Sequence, residues 1–150
     1  MWASLSVIAF GVVAYLCWNL YRRFGADRIA AIMETRRPSS RMVSRGEFVH
    51  GSRHMNVAVA LTRSTFFYEN DDMQASLELQ WVSEIEYDTH LSTGSAVTGG
   101  KVLRLRCYSQ MFEFVLPDDV LVRWHTMLPP RRTQEGTVLA APALVPVVSG

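Results

Sequence analysis

Residues Trp2 to Tyr21 read WASLSVIAFGVVAYLCWNLY, twenty positions without a charged side chain, and Arg22 and Arg23 follow at once. A helix rises about 1.5 Å per residue, so such a run matches the roughly 30 Å hydrocarbon core of a bilayer. Trp2 stands at one end, and Tyr15, Trp18 and Tyr21 gather toward the other, where amphipathic rings favour a membrane interface. The sequence therefore predicts a single transmembrane helix over 2–21. Trp2, Trp18, Tyr21, Arg22 and Arg23 are its expected interface residues.

Other origins for such a run fit less well. A cleaved signal peptide needs basic residues ahead of the apolar core, and here the arginines lie behind it. A lipoprotein signal ending at Cys17 would place the bulky Leu16 where a small residue belongs. A buried helix of a globular domain would show a polar face. Arg22, Arg23, Arg28, Arg36, Arg37, Arg41 and Arg45 all follow the run and none precedes it, so the positive-inside rule orients the remainder toward the cytoplasm, at the plasma or inner membrane.

The net charge of +1 conceals an asymmetry. Residues 22–53 carry eight arginines against Asp27, Glu34 and Glu47, whereas residues 64–100 carry seven acids and no base. The acidic middle and the expected tether disfavour nucleic-acid binding. Cys17 and Cys107 fall in separate predicted elements, so free thiols and a reducing compartment are expected.

Past the run, Phe24–Met33 suggests a short helical continuation or an interfacial amphipathic turn, within a basic linker over 22–42. The Arg37-Pro38-Ser39-Ser40 stretch breaks any helix. From Val43 the apolar period becomes two. Gly46–His50, Val57–Leu61, Thr65–Glu69 and Leu77–Trp81 read as strands, with Gly51–Asn56 and Asn70-Asp71-Asp72 as turns. Ile85 and Tyr87 continue after a break near Val82-Ser83. A polar loop, Thr89–Gly100, precedes a hairpin of Lys101–Tyr108 with Gln110–Leu116. Arg104 and Arg106 are expected to pair across strands with Glu84, Glu86 or Glu113. Asp118 is the expected N-cap of a helix whose stripe is Val120, Leu121, Trp124, Met127 and Leu128. Residues 129–150, rich in Pro, Ala and Val, read as a flexible tail, with a docking peptide as the second reading.

Strands followed by one terminal amphipathic helix resemble a PH-like architecture. Val59-Ala60-Leu61-Thr62 with Thr65-Phe66-Phe67-Tyr68 resembles a stretch of PH and GRAM domains. Leu79–Tyr87 is similar to another, and Leu103-Arg104-Leu105 with Phe112-Glu113-Phe114 resembles their final hairpin. Trp124 stands where PH domains carry a helix tryptophan. The resemblance covers residues 43–128. It implies a mainly β fold with α, an antiparallel barrel or sandwich capped by a C-terminal helix, behind the transmembrane helix.

It also implies a binding module rather than an enzyme. Lipid-binding members carry a basic first hairpin, and the matching residues here are Arg45, His50, Arg53 and His54, with no lysine among them. No nucleophile elbow, phosphate loop or three-ligand metal set is found, and no cofactor is expected. The expected function is a single-pass, membrane-anchored scaffolding module at the cytoplasmic face, with a protein partner. The alternative is a sensor of anionic lipid or a small ligand on the first hairpin.

Overall fold

The computed structural model describes residues 2–132, and the side chains of these except 2–10 and 22. The expected tail from Thr133 onward lies outside the described residues.

One helix, α1, runs without interruption from Trp2 to Arg36. It stops where Pro38 enters a short 3-10 turn over Arg37–Ser39, since proline has no N–H to continue the ladder. Seven strands follow: β1 (Met42–His50), β2 (Arg53–Leu61), β3 (Thr65–Glu69), β4 (Gln74–Glu78), β5 (Val82–Asp88), β6 (Gly100–Cys107) and β7 (Gln110–Pro117). Helix α2 (Asp118–Met127) and a two-residue strand, β8 (Arg131–Arg132), complete the described chain. All strands join one curled antiparallel sheet in the order β4-β3-β2-β1-β7-β6-β5-β8. Sheet and helix together fit a PH-like β domain.

Antiparallel register puts directly opposed residues on one face. Val59 opposite Ser44 and Tyr68, and Phe114 opposite Phe48 and Leu103, therefore point to the concave side. There Phe48, Phe66 and Phe114 form an aromatic cluster, with Phe66 and Phe114 rings 4.9 Å apart. Leu61, Leu103, Leu105 and Leu116 fill the space around it. Helix α2 closes the open side, setting Trp124 5.7 Å from the Phe66 ring. Tyr87 Oη donates to the Leu128 carbonyl at 2.9 Å, fixing the end of that helix.

The convex side departs from expectation at β2. Alternation predicts one buried face, yet Val57, Ala58, Val59, Ala60 and Leu61 are all buried. The C-terminal half of α1 lies across β2 and β1, so both faces of the strand are covered. Ile29 is buried on that side, and Ala26, Ala30, Met33 and Arg36 share its helical stripe and are half-buried. The methyl side chains of Ala58 and Ala60 let the helix approach closely.

This docking corrects the transmembrane assignment. Among the described residues no helix is long and apolar enough to cross a membrane. Helix α1 does not end at Tyr21, and its continuation carries Arg23, Asp27, Arg28, Glu34 and Arg36. The structure thus contradicts the expected transmembrane helix over 2–21. Of the expected interface residues, Trp18, Tyr21 and Arg23 are exposed, whereas the side chains of Trp2 and Arg22 lie outside the described residues.

Smaller departures have local causes. Strand β2 begins at Arg53, so the expected turn over Gly51–Asn56 shrinks to Gly51-Ser52, with Gly51 in the left-handed region at φ 61°. Strand β4 stops at Glu78, and a 3-10 turn over Leu79–Trp81 swings Trp81 outward. Pro117, not Asp118, is the N-cap of α2. The Asp118 N–H is instead directed at the Gly99 carbonyl, 3.3 Å away. The polar loop after β5 is anchored by Leu91, buried with Val49 and Val102 in a second small core.

Candidate partner-binding groove

Where α1 leaves the sheet, a groove of about 840 Å³ opens between the helix, β1, β2 and the β3–β4 turn. Trp18, Tyr21, Gly25 and Arg28 recur at helical spacing along its helix wall. Arg45 and Asn56 line the sheet side, and Asn70, Asp71 and Asp72 the turn.

The turn is rigid for a local reason. Asn70 Oδ1 accepts from the Asp72 N–H at 3.0 Å, an Asx turn, and the Asn70 N–H reaches the Met73 carbonyl at 2.8 Å. It presents Asp71 to Arg28 Nη1 at 2.7 Å. Arg45 Nη2 donates to the Ala26 carbonyl at 3.3 Å. At the far end of the helix, Arg36 makes a two-point contact with Glu69, its Nε lying 2.9 Å from Oε2. Its guanidinium also sits 4.2 Å from the Phe67 ring centroid. Glu69 accepts from Gln74 Nε2 at 2.9 Å as well. The bond from Arg36 holds the Glu69 carboxyl below the usual carboxylate range against the opposing effect of burial.

Above these clamps the helix exposes a run of large apolar side chains, interrupted by Asn19, Arg22 and Arg23. Val12, Val13, Tyr15, Leu16, Trp18, Leu20, Tyr21 and Phe24 are all exposed, Trp18 at 64% and Tyr21 at 76%.

The four hairpin residues expected to converge do not. Register sends Arg45 and His54 to the convex face, and His50 and Arg53 to the other. His54 Nδ1 lies 3.1 Å from Glu47 Oε1, so a carboxylate already stands at its ring. His50 lies beside the Phe48 ring at 6.2 Å between centroids. Arg45 alone lines the main groove, while His54 and Glu47 border a separate cleft of about 540 Å³ against the loop after β5.

The acidic strands are neutralised internally. Arg104 Nε donates to Glu113 at 3.1 Å, its Nη1 reaches Glu86 at 3.0 Å and Asp88 at 3.2 Å, and its Nη2 reaches the His90 carbonyl at 2.9 Å. Glu113 also accepts from the N–H and hydroxyl of Ser92, both at 2.8 Å. Arg106 and Arg132 both pair with Glu84, and hydrogen bonding, to Arg106 above all, lowers that carboxyl's pKa. The backbone N–H groups of Thr89 and His90 lower that of Asp88. Among the described residues, no group of three or more His, Cys, Asp or Glu side chains is placed to hold a metal ion.

The contacts of α1 were missed in the sequence because their partners lie far apart: Arg28 and Asp71 are 43 residues apart, and Arg36 and Glu69 are 33. The available signal was Ala58 and Ala60 alternating with Val57 and Val59, small residues that leave room for a covering helix.

No family model matches the chain, and no curated protein matches it.

Proposed function

We propose that this chain is a non-enzymatic, PH/GRAM-like binding module that scaffolds a protein partner through the apolar side chains exposed along Gly11–Phe24 of α1 and the groove beside it. The observation that carries this reading is the exposure of Val12, Tyr15, Leu16, Trp18, Tyr21 and Phe24 on a helix clamped to the sheet by Arg28, Arg36 and Arg45. Contiguous exposed apolar side chains of this kind mark an interaction surface. The partner's surface is therefore apolar, with polar groups where it meets Arg45 and Asp72 at the groove floor. Free thiols at Cys17 and Cys107 suit work in a reducing, cytoplasmic setting.

The test is site-specific photocrosslinking in cells, with a benzophenone amino acid replacing Tyr15 or Trp18 of the full chain and Arg123 serving as a control position on exposed α2. A discrete protein adduct from Tyr15 and Trp18, absent from Arg123, supports the reading. Adducts with lipid alone, or with the same proteins from all three positions, overturn it.

A further inference from the structure

A second exposed aromatic site lies away from α1, at the corner where β5 begins and the β6–β7 hairpin turns. Trp81 and Tyr108 stack with centroids 5.6 Å apart and planes inclined by 28°. Although stacked, they remain 50% and 65% exposed. Tyr108 occupies the first central position of a two-residue turn at φ 54°, where glycine or asparagine is ordinarily at ease. Bulk at such a position costs stability, so the turn alone does not account for the ring.

The described chain ends beside this platform and is aimed at it. Strand β8 runs antiparallel to β5, with Arg131 opposite Ile85 and Arg132 opposite Glu84. Strand β8 therefore runs toward the start of β5, which Trp81 immediately precedes. Arg131 Nη2 donates to the carbonyls of Leu79 at 2.6 Å and Val82 at 3.0 Å, which flank Trp81. Eighteen residues, Thr133–Gly150, follow Arg132. After Gly136 they read TVLAAPALVPVVSG, an apolar run with Pro142 and Pro146 and no charge. Flat aromatic faces take proline rings and extended apolar chain, and a tethered ligand binds at high effective concentration.

We propose that Trp81 and Tyr108 form the seat for the chain's own tail, with Pro142 and Pro146 as the anchoring residues, bound within one molecule. This intramolecular site is separate from the α1 groove and does not depend on the reading given to it.

The test labels the full chain with 5-fluorotryptophan and assigns the Trp81 resonance by Trp81→Phe. In the wild-type chain the Trp81 fluorine is covered and shows little change in chemical shift between H₂O and D₂O. In the full-length double variant Pro142→Asp/Pro146→Asp it shows the full solvent-isotope shift of an exposed indole. The buried Trp124 resonance stays unchanged in both, which reports an intact core. Equal exposure of Trp81 in the wild-type and double-variant chains overturns the proposal, as does equal protection in both. Protection that falls on tenfold dilution also overturns it, because the tail would then come from a second copy.

Discussion

The indole Nε1 of Trp124 donates a 2.9 Å hydrogen bond to Ser44 Oγ across 80 residues of sequence, and both groups are buried. This bond ties α2 to β1 through the aromatic core. Ser44→Ala leaves a buried N–H without a partner, at a cost of about 1–3 kcal/mol. Trp124→Ala also opens a large cavity, at about 3–5 kcal/mol. Urea unfolding of the full chain checks both, and equal losses for the two variants would contradict the assignment.

Arg104 is the hub of the β5–β6–β7 surface, and its most deeply placed partner is Glu113, whose side chain is 7% exposed. Arg104→Met strands that carboxylate with only Ser92, and a loss of about 3 kcal/mol is expected. Adding Glu113→Gln to the same chain recovers part of it. Glu86→Gln, at the solvent edge, shifts the unfolding midpoint little. A double-mutant cycle measures the coupling, and strict additivity of Arg104→Met and Glu113→Gln would count against a hub.

Glu69 makes stability depend on pH with a definite sign. Arg36 holds its folded pKa below the unfolded value of about 4.3. The stability from this pair is complete above the unfolded pKa and is lost as pH falls through the folded one. Glu69→Gln lowers stability at pH 7 and flattens its decline toward pH 3. Urea midpoints at stepped pH test this, with parallel curves for wild type and variant as the contrary result.

Gly100 begins β6 against the backbone of β7, and a Cβ there would collide with the Leu116 carbonyl oxygen. Because that neighbour is backbone rather than a flexible side chain, relief requires the strands to part. Gly100→Ala should destabilise by about 1–3 kcal/mol, read as a lowered thermal midpoint. Gly51→Asn, at an open turn with positive φ, should leave the midpoint near wild type.

Features set by local periodicity were legible in the sequence. The β6–β7 hairpin follows from Leu103 and Leu105 facing Phe112 and Phe114, and the α2 stripe from Leu121, Trp124 and Leu128. Arg104 and Arg106 find acids on neighbouring strands, as expected from their face. What stayed hidden depends on contacts between distant residues. The uncharged run up to Tyr21 suggested a membrane span over 2–21 with at most a short continuation, whereas one helix runs on to the break expected at Pro38. Its second half is amphipathic toward a surface made by Ala58 and Ala60, so the charges taken for a linker are the clamps of a docked helix. Of the expected lipid-binding set, Arg45 reaches the main groove. His50 and Arg53 do not, because a two-residue turn sets the register that sends them to the other face.

The unbroken passage of α1 from the apolar segment into the docked half has a mechanical consequence. Each residue advances a helix by about 1.5 Å and turns it by about 100°, so the azimuth of Trp18 is locked to that of Ile29 and Arg36. A partner gripping the outer segment is presented to the sheet at one angle and one height. Inserting two residues near Phe24 would leave every clamp in place and lengthen the rod by only about 3 Å, yet rotate the outer segment by about 200°. Lost assembly in such a chain, with the curled sheet intact, would identify α1 as a phase-keeping shaft rather than a tether.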